Sequence, residues 1–177
     1  KLEFWEGSLM KLIRSLFFLI SFSIVLVGSL AANDFASHPY FSKISGEWQG
    51  KGTLTNSDGE DTAVQEDWTA KVNDEGGFSI EGGRIWGEES QQFRWVFSVN
   101  AATELYECEY WHTGMDEPMN FQVSLLDDGV ELSAPLGDVE LSVKNKFKGE
   151  KLIGKISLQG SNGQENLAGK VVHNKKE

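Results

Sequence analysis

The chain reads as an all-β protein: a single antiparallel up-and-down β-barrel of about ten strands with a short N-terminal helix. Three observations predict this. Apolar residues recur at every second position through most of the chain from residue 46 onward. The alternating segments are joined by short stretches of Gly, Asn and Asp. Only one short helix is on hand to cover a sheet, so closure is the economical way for amphipathic strands to bury their apolar face and lose their edges. A two-sheet sandwich is the alternative that the same pattern allows.

The helix comes first. Pro39 stands at a first helical position with a cap residue just before it, and Tyr40, Phe41 and Ile44 share a face that suits a plug. A first strand then carries Trp48, Gly50, Gly52 and Leu54 on one side, and a second carries Val64, Glu66, Trp68, Ala70 and Val72. Phe78, Ile80, Gly82, Arg84 and Trp86 mark the third, and Phe93, Trp95, Phe97 and Val99 the fourth. Tyr106, Cys108, Tyr110 and His112 alternate in the fifth. Met119 to Leu125, Val130 to Ala134, Val139 to Phe147, Leu152 to Leu158 and Leu167 to Val171 complete the set. The opposite faces hold Glu47, Gln49, Lys51, Glu107, Glu109, Lys144, Lys146 and Lys155, the wet side of an antiparallel sheet. Connections such as Asn73-Asp74-Glu75-Gly76-Gly77 and Asp127-Asp128-Gly129 supply residues that tolerate the positive φ of tight hairpins.

The barrel domain is assigned to residues 32–177. Ahead of it, Lys11 and Arg14, the apolar run Leu16 to Val27 and the small residues Gly28 to Ala32 compose a secretory signal peptide over 10–31. Residues 1–9 lie upstream of Met10 and read as a start-site artefact. The expected destination is periplasmic or secreted, with no membrane insertion after signal cleavage. The 177 residues carry a formal charge of −11. Residues 1–31 hold Lys1, Lys11, Arg14, Glu3 and Glu6, so the remainder is more acidic still. Such a charge disfavours nucleic acid as a partner. Cys108 is the single cysteine, which excludes an intrachain disulfide, and an exported free thiol is safest buried.

A barrel of this strand number is wide enough to enclose a ligand. The inward set predicts ligand-binding residues Trp48, Trp68, Arg84, Trp95, Tyr106, Tyr110 and His112, aromatic walls with a few polar handles. The expected partner is a small hydrophobic or amphipathic molecule. A packed interior in a structural or interaction barrel is the alternative. Arg84 needs a counter-charge once buried. If Val72 pairs with Phe78 across the Asn73–Gly77 turn, Glu66 falls opposite Arg84 as a cross-strand ion pair. A two-residue shift puts Val64 there instead and leaves Arg84 for a ligand anion.

Gly46-Glu47-Trp48-Gln49-Gly50-Lys51-Gly52 is similar to the Gly-x-Trp-x-Gly-x-Gly opening of nitrobindin-like barrels. The helix leading into it resembles lipocalins and fatty-acid-binding proteins, the calycin-type group. This resemblance covers residues 35–54 and the strand count over 46–172. It implies two arrangements. Arg84 with a tyrosine hydroxyl would resemble the head-group clamp of fatty-acid-binding proteins. His173, which shares the parity of Val171, would match the late-strand haem ligand of nitrobindin-like barrels, although its place near the chain end predicts fraying.

No cofactor, metal site or catalytic residue is otherwise assigned. His38, His112 and His173 lack ligand spacing. No Gly-x-Ser-x-Gly elbow is present. Cys108 reads as an inert core thiol. Asn56 to Asp61 reads as an acidic turn rather than a calcium loop. An enzyme stays possible by fold analogy alone.

Overall fold

A computed structural model describes residues 35–161, 163 and 165–177. The signal-peptide assignment over 10–31 and the segment 1–9 lie outside the described residues. After a helical turn at 35–37 come α1 (Pro39–Ile44) and ten strands: β1 (Gly46–Asn56), β2 (Asp61–Val72), β3 (Phe78–Trp86), β4 (Glu89–Val99), β5 (Tyr106–His112), β6 (Met119–Leu126), β7 (Gly129–Leu136), β8 (Val139–Lys148), β9 (Lys151–Gly160) and β10 (Glu165–Lys175). Each strand pairs antiparallel with the next, and β10 returns to β1 to close the barrel. The closing seam runs from Trp48↔Lys175 to Asn56↔Leu167.

Local chemistry accounts for the elements. The His38 ring accepts a hydrogen bond from the Tyr40 backbone N–H, and Pro39 follows with its φ already helical. In the turn after β2 the Asn73 side-chain oxygen accepts from the N–H groups of Glu75 and Gly77. That turn sets the β2–β3 register at Val72↔Phe78 and Glu66↔Arg84. Asn56 does the same for Asp58 and Glu60, so the acidic segment is a side-chain-pinned turn. Val72, placed on the dry side by alternation, ends β2 at the rim and is 37 % exposed. The expected fraying beyond Val171 does not occur: β10 continues to Lys175, and His173 pairs with Gly50 on one side and Leu152 on the other. Backbone bonding on both flanks holds the segment.

The helix plugs one end of the barrel. Phe41 is fully buried and packs edge-on against Phe35 (4.8 Å between ring centres) and Phe97 (5.3 Å), and tilted against Phe78 (4.9 Å). Trp48 ties the plug to β1, its indole N–H donating to the Ile44 carbonyl at 2.7 Å. Leu54, Val64 and Val171 form a smaller apolar layer beyond the middle of the barrel, backed by Trp86, Ile156 and Leu167. Between the two clusters lie the few polar side chains of the interior.

Because the plug is continuous with the core, Phe41→Ala should destabilise the fold by about 3–5 kcal/mol. Urea unfolding followed by tryptophan fluorescence measures this; a change below about 1 kcal/mol would show the plug to be detachable.

Candidate functional site

Four strands, β2, β3, β5 and β10, bring Glu66, Arg84, Tyr110 and His173 together in the interior. Glu66 on β2 and Arg84 on β3 are directly opposed, and Arg84 Nε donates to Glu66 Oε1 at 2.6 Å. The register that pairs the two charges is thus the one adopted. His173 reaches Glu66 from across the closing seam, with Nε2 2.7 Å from Oε2. Gly50 lies between them, paired with Glu66 on one side and His173 on the other. A Cβ at Gly50 would overlap the His173 ring, so glycine there is what allows the imidazole to cross β1 to the carboxylate. Arg84 Nη1 also points to the Tyr110 hydroxyl, at a long 3.4 Å, and its guanidinium lies 5.1 Å from the centre of the Phe93 ring.

The electrostatics follow from burial and pairing. Glu66 has 8 % of its side-chain surface exposed and His173 6 %. Burial alone would raise the Glu66 carboxyl. The His173 hydrogen bond and the Arg84 charge together outweigh it, so the carboxyl titrates below its ordinary value. Burial likewise works against the Arg84 cation, and Glu66 with Tyr110 more than compensates. The Tyr110 hydroxyl is pushed up by burial, with Arg84 opposing. An ionised Glu66 accepts on both oxygens, which places the imidazole proton on Nε2. Among the described residues, His173 Nδ1 is buried and has no hydrogen-bond partner.

This group borders a cavity of about 130 Å³. Its aromatic wall includes Trp68, Phe93, Trp95, Tyr110 and Phe121. Trp95 lies 4.2 Å from Tyr110 and 5.3 Å from Phe121, centre to centre. Gly82 faces Trp68 across the β2–β3 ladder, where any side chain would collide with it. Of the residues singled out from sequence, Trp68, Arg84, Trp95 and Tyr110 line this cavity. Trp48 stacks behind Trp68 at 5.5 Å. Tyr106 packs on Phe35 at 5.6 Å in the plugged end. His112 is half-buried at the end of β5, with Nδ1 2.7 Å from the Thr113 carbonyl. These three stand outside the cavity lining.

Glu66, Asn145 and His173 also border the cavity. Alternation had Glu66 and His173 facing inward; the β1–β10 register, which brings them together, has no local signal. Asn145 shares the inward parity of Leu141, Val143 and Phe147 in β8, the signal by which alternation could have found it. Cys108 is buried between β4 and β6, and burial pushes its thiol well up. It is a packing group, with no thiolate at neutral pH. Among the described residues no cluster of three or more His, Cys, Asp or Glu gathers as a metal site.

The residues do not fit haem. His173 Nε2 is committed to Glu66, and the interior space, near the 150 Å³ that accommodates benzene, is far too small for a porphyrin.

No family model and no curated protein matches the chain. Solved structures resemble it in fold. An S-type phycobiliprotein lyase from Guillardia theta aligns at TM-score 0.55 and 8% identity, covering 77% of this chain and 90% of that one. Rv2717c from M. tuberculosis aligns at 0.54 and 14% identity, over 82% and 98%. A protein of unknown function from the DUF3598 family of Nostoc punctiforme aligns at 0.51 and 14% identity, over 76% of this chain and 48% of its own length. At these identities the likeness is one of fold: a calycin-like barrel.

Because the Glu66 carboxyl titrates below its ordinary value, the stability it contributes is full above the unfolded-state value and disappears as pH falls through the folded one. Glu66→Gln, which leaves Arg84 without its counter-ion, should cost about 3 kcal/mol at neutral pH. It should also flatten the loss of stability in acid. Urea unfolding from about pH 7 to pH 3 tests both; parallel curves for the two proteins would assign the acid sensitivity elsewhere.

Proposed function

We propose that the barrel binds a small hydrophobic or amphipathic molecule in its interior. The observation that carries this is the aromatic-walled cavity inside the barrel, with Arg84 and Tyr110 in its lining. A plain core would be expected to fill such a space, because interiors are close-packed and each void forfeits dispersion contacts. The volume favours a ligand of about one ring, and burial of its apolar surface supplies most of the affinity. Ligand-binding residues in this reading are Trp68, Arg84, Trp95 and Tyr110. Trp48 acts by buttressing Trp68, while Tyr106 and His112 complete the scaffold around the walls.

The acidic charge supports a role without nucleic acid. The signal-like sequence over 10–31 supports work outside the cytoplasm, in the periplasm or the medium, which N-terminal sequencing of the protein from its own host checks. A second reading, a barrel whose interior is plain core, draws on the ring-packed end around Phe41, Phe78 and Phe97.

Titration with toluene should change the fluorescence of the cavity tryptophans Trp68 and Trp95 in a saturable way and raise the melting temperature. Native mass spectrometry of protein from its own host should show a retained small molecule. No saturable response to any one-ring compound would favour the plain-core reading.

A further inference from the structure

We propose that the interior takes a primary amine on a single aromatic ring, an arylamine of aniline size, with its amino group seated beside Gly154 and donating to Asn145 Oδ1 and His173 Nδ1. The inference rests on the interior-binding reading above and narrows its ligand class.

Three strands make the seat. Asn145 on β8 is directly paired with Gly154 on β9, and Gly154 is paired in turn with Val171 on β10, two residues before His173. All four residues line the cavity. A Cβ on Gly154 would stand 2.9 Å from Asn145 Oδ1 and 3.4 Å from His173 Cε1, the ring atom between the two nitrogens. The Val171 carbonyl oxygen is next, at 3.8 Å. Glycine therefore leaves a small place bordered by polar atoms in a lining that is otherwise mostly apolar.

Hydrogen-bonding capacity sets the amino group. His173 Nε2 donates to Glu66, which leaves Nδ1 as a lone pair, buried and, among the described residues, without a partner. Asn145 interrupts the inward run of Leu141, Val143 and Phe147, where an amide costs free energy unless it is bonded. Tyr40 on α1 sets the direction of that amide. Burial pushes the Tyr40 hydroxyl up and Asn145 opposes it, the effect of a nearby N–H donor. The approach falls short of a hydrogen bond, since Tyr40 Oη has no partner among the described residues. The Asn145 N–H groups are thus turned to α1 and Oδ1 to Gly154. The place beside Gly154 faces acceptors from β8 and β10. A hydroxyl has one proton to give them, and an amino group has two.

Size and charge set the rest of the molecule. A space of about 130 Å³ holds a single ring. Trp68, whose ring centre is 5.3 Å from that of His173, carries the aromatic wall up to the seat, and flat π surfaces favour another ring in offset or edge contact. An arylamine is uncharged at neutral pH, so no ion is desolvated when it enters. Glu66 and Arg84 already balance one another.

Calorimetric titration of the barrel protein with aniline, phenol and toluene tests the assignment, because the three differ in size by almost nothing and offer two, one and no donor hydrogens. Aniline should bind about tenfold more tightly than toluene, with phenol between them. Asn145→Leu should weaken aniline severalfold and leave toluene unchanged. Gly154→Ala, which fills the seat, should also weaken aniline more than toluene and covers the case in which the Asn145 variant does not fold. Nitrogen NMR of histidine-labelled protein needs no variant: His173 Nδ1 should be unprotonated and should shift when aniline binds. Toluene binding as tightly as aniline would mean that the seat holds only water; it would overturn the arylamine and leave interior binding standing. Phenol binding more tightly than aniline, or a protonated Nδ1, would overturn the paired acceptors. Binding of none of the three would remove both readings.

Discussion

The seam between β1 and β10 is the constraint on which the other features rest. A meander of ten strands is only a curved sheet until its last strand bonds to its first. Here that bonding runs over most of both strands, from Trp48↔Lys175 to Asn56↔Leu167. Closure removes both edges and turns the apolar face into an interior. It also makes neighbours of residues far apart in the chain. Glu66 and His173 are joined only because β1 lies between their strands and carries Gly50 at the crossing point.

The interior is divided. Toward α1 it is filled with rings, from Phe35 and Phe41 through Phe78 and Phe97, and the Trp48–Trp68 stack closes that half. Past the stack the side chains shorten, with inward glycines at Gly50, Gly82 and Gly154 and a charged pair instead of hydrocarbon. Space and polarity thus coincide. Hydrocarbon of equal volume is often at least as stable as a buried Arg–Glu pair, so the pair is not needed to hold the barrel together. The pair is a fixed electrostatic feature in an otherwise largely apolar lining.

Much of this was legible in the residues themselves. Period-two alternation, with Asn and Gly at the turns, specified ten strands and their inward faces, because a pleated strand sends successive side chains to opposite sides. The Asn73–Gly77 turn offered Glu66 opposite Arg84 as one of two registers, and the Asn73 side chain, bonded to the N–H groups of Glu75 and Gly77, accompanies the one adopted. Phe35 was missed as a core residue, since a lone aromatic ahead of a helix has no periodic signal; its burial comes from Phe41, Phe78 and Tyr106 around it. The contrast between Trp48 and Trp68 was equally invisible. Both alternate inward and they face one another across the β1–β2 ladder, yet one borders the cavity and the other is packed behind it.

The sequence by itself determined the strand count and which side of each strand is dry, because these depend on residues a few positions apart. Only the tertiary structure decided that the sheet closes, that His173 is held rather than frayed, and how much empty volume remains. Those outcomes depend on contacts between the two ends of the chain and on how side chains from ten strands share one interior. No local pattern records that sum.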